Sequence, residues 1–364
     1  MSLSHLSLNN FRNIEALTLE PVNGINIIYG ENGSGKTSLL EAIYFLSHGK
    51  SFRTAKHKNI IQHQQDKFVI HGRKALHDLS IPIGISKNQA GETSLKIQGK
   101  TSRKISELAQ LVPVQVITPE SYSLFFGGPK ERRKFLDLGL FHVEHDFFYL
   151  WQSFNKVLKQ RNALLKSKPR DYFEQIKFWD KEFVRLAEQI NNLRIAYISR
   201  FKQQFFDKMC AELTLVSDLE INFHAGWKES ETLSEALEQS FERDAKQGFT
   251  SKGPHKADFS FSVSGNSVEN TFSRGQLKLL LYALKVTQNS LIESETDKQS
   301  ILLIDDLPSE LGEDTKDKVG QLLTHCDSQL FISSILSESI SAVVEPMQRE
   351  LKMFHVKHGN LITR

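Results

Sequence analysis

One stretch restricts this chain more than any other. Gly30-Glu31-Asn32-Gly33-Ser34-Gly35-Lys36-Thr37, followed by Ser38, fits the pattern GxxxxGK[ST]. The short apolar run Ile25-Asn26-Ile27-Ile28-Tyr29 precedes it and reads as a buried strand. Leu39, Leu40, Ala42, Ile43, Phe45 and Leu46 follow as the apolar side of a helix that stops near Gly49. Strand, loop and helix in that order are the setting a phosphate-cradling loop requires. Glycines let the backbone curl so that its N–H groups point inward, and the helix N-terminus adds positive potential. Lys36 is placed to reach the β- and γ-phosphates, and the Thr37 hydroxyl to bind Mg²⁺.

A second apolar strand, Ile301-Leu302-Leu303-Ile304, ends in Asp305 and Asp306. A carboxylate at a strand tip can hold magnesium, so Asp305 is the metal candidate beside Thr37. Asp306 is placed to orient or polarise an attacking water, which makes Lys36 and Asp306 the catalytic candidates. The two motifs stand about 270 residues apart. Small GTPases and small kinases hold theirs much closer; so large an insertion is the pattern of ABC-type and chromosome-maintenance ATPases. About 30 residues before the second motif, Ser273-Arg274-Gly275-Gln276 opens a helical run, Leu277–Thr287. A hydroxyl, a glycine N–H and a helix N-terminus can make an anion site, or simply an ordinary N-cap. The likeness to ABC-type and chromosome-maintenance ATPases implies the former, a site that caps the γ-phosphate held by a second copy of the chain.

The remaining sequence reads as an α/β domain with a helical insertion. Leu3 to Leu19 suggest two strands, and residues 66–100 a meander of antiparallel strands punctuated by Gly72, Gly84, Gly91 and Gly99. Val112–Ile117 is a further strand candidate. From Pro129 to Gln247 the pattern becomes helical, with Trp179, Phe183, Leu186, Ile190, Leu193 and Tyr197 forming one stripe and Pro169 separating two helices. The expected division is 1–128 and 248–364 for one ATPase lobe, with 129–247 as a helical lobe. The composition, 39% hydrophobic and 24% charged, is that of a globular chain. No apolar run approaches the roughly 18 residues of a membrane span, the N-terminus does not read as a signal peptide, and no membrane association is expected. Cys210 and Cys326 are far apart and in no metal-binding spacing, which fits a reducing cytoplasm.

Several phrases, in order, resemble the RecF family of ABC-type ATPases. They are LSHLSLNNFRNIEAL at the start, GENGSGKTSLLEAIYFLSHGKSFRT at 30–54 and TPESYSLFFGGPKERRKFLD at 118–137. KGPHKADFSFSVSG at 252–265, SRGQLKLLLYALK at 273–285 and ILLIDDLPSELG at 301–312 complete the set. The resemblance covers nearly the whole chain. It implies an ATP-binding head with a helical second lobe, and a homodimer closed head to head by two ATP molecules. It also implies ATP-dependent binding to duplex DNA near single-strand gaps, with RecR and RecO as partners in loading RecA, and slow hydrolysis used as a timing switch.

Four positions depart from related patterns. Pro119-Glu120-Ser121 stands where relatives carry a glutamine loop, and Asp306 where a glutamate is usual. Ser309-Glu310-Leu311-Gly312 has glycine in place of an aspartate, and Phe331-Ile332-Ser333-Ser334 lacks a switch histidine. Fast hydrolysis is therefore not expected. The net charge is only +3, but Lys50, Arg53, Lys56, His57 and Lys58 form one basic cluster and Lys130, Arg132, Arg133 and Lys134 another. Either could contact DNA phosphates without reading sequence, or form a solvated face. His255 and Lys256 could lie near the nucleotide or a dimer seam. The alternative reading is the ATPase subunit of an ABC-type transporter; a small-molecule kinase is a third.

Overall fold

The strand that leads into the phosphate loop and the strand that ends in two acids are not direct neighbours. Ile25–Tyr29 (β3) and Ile301–Ile304 (β12) each pair in parallel with Gln329–Ser334 (β13), which runs between them. In this computed structural model residues 2–76, 79–209, 218–307 and 312–362 are described. Cys210 and the Ser309–Leu311 part of the departure noted above lie outside them. The described residues group into two units, Met1–Ser121 with Arg274–Arg364, and Tyr122–Ser273.

Two sheets build the first unit among the described residues. One is mixed, in the order β15-β14-β3-β13-β12-β8, where β8 is Val114–Ile117, β14 Leu351–Lys357 and β15 Asn360–Ile362. Its central strands are covered on both faces, as a parallel sheet requires: every residue of β12 and β13 is buried. The other is antiparallel, in the order β2-β1-β4-β5-β6-β7. It comprises β1 (Leu3–Phe11), β2 (Ile14–Leu19), β4 (Lys67–Leu76), β5 (Leu79–Asn88), β6 (Thr93–Ile97) and β7 (Lys100–Ser102). The meander expected over residues 66–100 is this β4–β7 run.

The helix Lys36–His48 (α1) shares one core with both sheets. Leu39, Leu40, Ala42, Ile43, Phe45 and Leu46 are buried with Leu6, Leu8, Phe68 and Ile70 of the antiparallel sheet and Ile28, Leu303 and Phe331 of the mixed one. A helix apolar on nearly every side belongs inside a domain. It starts at the phosphate loop, so the core that fixes the helix also fixes the loop.

The second unit carries the helices Pro129–Val143, Phe147–Ser167, Tyr172–Lys208 and Leu233–Gln247 and a three-stranded sheet of Leu219–His224 (β9), Asp258–Val263 (β10) and Asn266–Ser267 (β11), in the order β11-β10-β9. Pro169 does fall between two helices. In the longest helix Phe183, Leu186, Ile190 and Tyr197 are buried, but the stripe passes through Arg194, which is fully buried, rather than Leu193. Arg194 reaches the Asp137 carboxylate and the Pro254 carbonyl. Residues 248–273 fall in this unit, not with the ATPase lobe as the expected division had it. The reason is pairing: β9 (Leu219–His224) lies antiparallel to β10 (Asp258–Val263), and Arg132 clamps Asp258 through two hydrogen bonds, 2.8 and 2.9 Å.

Candidate functional site

Asn32, Gly33, Gly35, Lys36, Thr37 and Ser38 of the loop line a cavity of about 690 Å³ at the carboxyl ends of β3 and β12. Gly30 is obligatory for steric reasons: a Cβ there would stand 2.2 Å from the Val356 carbonyl oxygen, and its φ is +152°. The loop is braced from outside as well. Gly359 N–H donates to the Ser34 carbonyl at 2.8 Å, and Asn13 accepts from the Ser38 hydroxyl at 2.9 Å while donating to the Gly33 carbonyl. Glu31, Asn32 and Gly33 are exposed, whereas Ser34, Lys36 and Ser38 are buried.

Lys36 Nζ donates to the carbonyls of Gly30 and Glu31 at 2.8 and 2.9 Å, so its ammonium is held inside the loop. Burial lowers its pKa, and Asp306 and Asp305 oppose that shift. Thr37 Oγ1 donates to Asp305 Oδ1 at 3.1 Å. This joins the two motifs that lie so far apart in sequence. Burial raises the Asp305 pKa, opposed by the hydrogen bonds from Ser333 and Thr37. Asp306 lines the same cavity with φ +55°, its N–H bonded to Ser333 Oγ.

These residues fit a triphosphate with its magnesium ion. The Ser34 hydroxyl is buried in the loop without a hydrogen-bond partner. Thr37 and Asp305 offer a hydroxyl and one carboxylate. Among the described residues no group of three or more His, Cys, Asp or Glu side chains could hold a metal by itself. Magnesium suits such a site, since it binds one or two carboxylates and takes the rest of its shell from phosphates and water.

Other expected residues are distributed differently. Arg274, Gly275 and Gln276 open the helix Arg274–Thr296 and do not line the cavity; Ser273 precedes them and closes the second unit. Pro119 and Glu120 do line it. Arg53, read from sequence as part of a basic cluster, is a wall of the cavity and lies 3.5 Å from Glu41. His255 belongs to the interior of the second unit, beside Phe154 and Phe183, with Nε2 on the Thr250 carbonyl. Arg133 is likewise used internally, donating to the Ala257 carbonyl at 2.6 Å.

Arg12, Asn13 and Ser333 are cavity residues that the sequence motifs did not single out. Arg12 and Asn13 sit at the β1–β2 turn, within the phrase LNNFRNIEA, where no spacing rule marks them. Ser333 was noted only for not being histidine.

The family model described as RecF/RecN/SMC N terminal domain matches residues 2–361. The DNA replication and repair protein RecF of Pseudoalteromonas translucida (strain TAC 125) is 89% identical over 364 residues, covering 100% of both chains. This chain belongs to the RecF family. A second RecF, from Vibrio atlanticus (strain LGP32), is 41% identical across 99% of each chain. A solved structure described as the recombination mediator RecF-ATPrS in the RecFOR pathway superposes with a TM-score of 0.84 at 26% identity, over 99% of this chain and 97% of that one. Another, described as RecF-ATP, gives 0.83 at 25%. An Smc head domain from Pyrococcus furiosus shares the fold, with a TM-score of 0.59 at 13% identity. The fold is that of an ABC-type ATPase head, and full-length agreement with RecF sets aside the transporter reading. No helix among the described residues is long and apolar enough to cross a membrane.

Proposed function

We propose that this chain is an ATP-operated, DNA-binding recombination mediator of the cytoplasm. The observation that carries the reading is the Thr37–Asp305 hydrogen bond inside the glycine-loop cavity, in a chain of the RecF family. The loop N–H groups and Lys36 bind the phosphates. Thr37 and Asp305 would hold a magnesium ion, which supplies charge neutralisation between the phosphates. Asp306 orients the attacking water. The acid is one methylene shorter than glutamate, and the end of β13 carries no histidine, both of which favour slow turnover.

In this reading Ser273, Arg274, Gly275 and Gln276 of one copy cap the γ-phosphate held by the other. ATP thus closes two chains head to head, and the closed pair clamps duplex DNA beside a gap. There it acts with RecO and RecR in loading RecA, and hydrolysis releases it. RecF names and the ATP-bearing RecF structures support this reading.

The test is DNA binding with ATP, with ADP and without nucleotide, with molecular mass followed in parallel. The expectation is a dimer and tight binding to gapped duplex with ATP alone. Lys36→Arg should weaken the nucleotide grip, and Asp306→Asn should hold the closed state. Equal mass and equal DNA affinity under all three conditions would defeat the reading.

A further inference from the structure

Glu41 lies five residues after Lys36 on α1, flanked by Leu39, Leu40, Ala42 and Ile43, and its side chain is 0% exposed. A carboxylate in a core is costly unless it is fully paired. Here it is paired three ways. Arg12 forks onto it, Nε to Oε2 at 2.9 Å and Nη2 to Oε1 at 2.6 Å. The Ser51 hydroxyl donates to Oε1, and Arg53 Nη1 stands 3.5 Å from Oε2. Both arginines line the nucleotide cavity, and Glu41 does not.

We propose that Glu41 is a positioning residue, which aims the Arg12 and Arg53 guanidiniums at the polyphosphate. The inference rests on the nucleotide reading above. An apolar side chain could fill the same core space without the desolvation cost. What the carboxylate adds is direction, because bidentate pairing fixes the plane of a guanidinium. It also adds connection. The third arm of Arg12, Nη1, donates to the Asn59 carbonyl, and Ser51 Oγ accepts from the N–H groups of Arg53 and Thr54. One buried carboxylate therefore holds the β1–β2 turn and the segment 51–59 against the phosphate-loop helix. Two guanidiniums on one carboxylate leave a positive excess at the cavity wall, as a triphosphate requires. ADP offers one phosphate fewer to that wall.

The experiment is equilibrium binding of Mg-ATP and Mg-ADP to the full chain, in wild type, Glu41→Gln, Glu41→Asp, Arg12→Gln and the double variant Glu41→Gln with Arg12→Gln. Thermal unfolding is measured alongside. Positioning predicts roughly tenfold weaker ATP binding in Glu41→Gln, about 1.4 kcal/mol, with a smaller loss for ADP. It also predicts non-additivity: the double variant loses less than the sum of the two single losses, because the Arg12 share of the Glu41 effect is already gone and only the Arg53 share remains. Glu41→Asp, which keeps the charge but retracts it, should fall between. A purely electrostatic role predicts the reverse, tighter ATP binding once the negative charge is gone. A purely structural role predicts a lower melting temperature with unchanged affinity at temperatures where the variant is folded. Either outcome overturns the proposal. Should Glu41→Gln not fold, Glu41→Asp and the Arg12 variant still decide it by the ATP-to-ADP ratio. Absence of ATP binding in the wild type itself would instead defeat the nucleotide reading, and this inference with it.

Discussion

The Ser333 hydroxyl donates to Asp305 Oδ1 at 2.7 Å and accepts from the Asp306 N–H at 2.8 Å. One side chain on the middle strand thus orients both acids of its neighbour. Without it Asp305 would keep the burial that raises its pKa and lose the largest effect opposing that rise. Ser333→Ala is expected to demand more Mg²⁺ for nucleotide binding, with the magnesium midpoint raised roughly tenfold, the worth of one hydrogen bond to a charged group. A titration of ATP binding against magnesium at fixed pH checks this; an unchanged midpoint would remove Ser333 from the site.

The parts of this site that could be read from the sequence are those governed by local pattern. The glycine loop needs a strand before it and a helix after it, and β3 and α1 supply both. The acid-ended strand β12 is equally local. The remainder depends on strand order. Nothing in the spacing of Phe331 to Ser334 shows that β13 runs between β3 and β12, and only that order brings Ser333 to Asp305. Arg12 and Asn13 enter the cavity because β1 and β2 form a hairpin whose turn meets the loop. Basic runs are uninformative for the opposite reason: charge density does not reveal which guanidinium has a partner inside the protein, and Arg53, Arg132 and Arg133 each have one.

Gly30→Ala tests the steric argument for the loop. The added methyl meets a backbone carbonyl of β14 at 2.2 Å, which cannot rotate away as a side-chain end could. The loop must shift, and with it the carbonyl that holds Lys36 Nζ. The expected outcome is loss of ATP binding by more than tenfold and a destabilisation of roughly 1–3 kcal/mol. Gly33→Ala, where no atom lies within 4 Å of the added carbon, should carry only the cost of its positive φ. Paired titrations of the two variants separate collision from backbone strain.

Arg132 is a structural arginine within the second unit. It forks onto Asp258, and both side chains are largely withdrawn from solvent. Arg132→Gln should therefore destabilise the protein by roughly 1–3 kcal/mol, between the values for exposed and buried pairs. Lys130→Gln, at an exposed position of the same helix, should shift stability by less than about 0.5 kcal/mol. Urea unfolding gives both numbers. DNA affinity per folded molecule should be unaltered in the Arg132 variant, and a selective loss there would restore the DNA-contact reading of this cluster.

His255 gives the fold a pH dependence of defined sign. Burial pushes its pKa down to about 4; the bond to the Thr250 carbonyl opposes that, and Lys256, Arg133 and Arg161 add to it. Its Nδ1 is buried without a partner, which fits a neutral ring protonated on Nε2. An unfolded chain takes up this proton near the ordinary value of about 6.5, and the folded chain does not until about pH 4. The stabilisation is thus complete above pH 6.5, shrinks as pH falls through that window, and is gone below about 4. The slope is about 1.4 kcal/mol per pH unit for one proton. His48, whose pKa burial lowers to about 3, adds a second proton over an overlapping range. Unfolding free energies from pH 7 to pH 4 should show this fall, and His255→Phe should reduce the slope by one proton whatever it does to the absolute stability. An identical slope in the variant would mean that the imidazole is already charged in the folded protein.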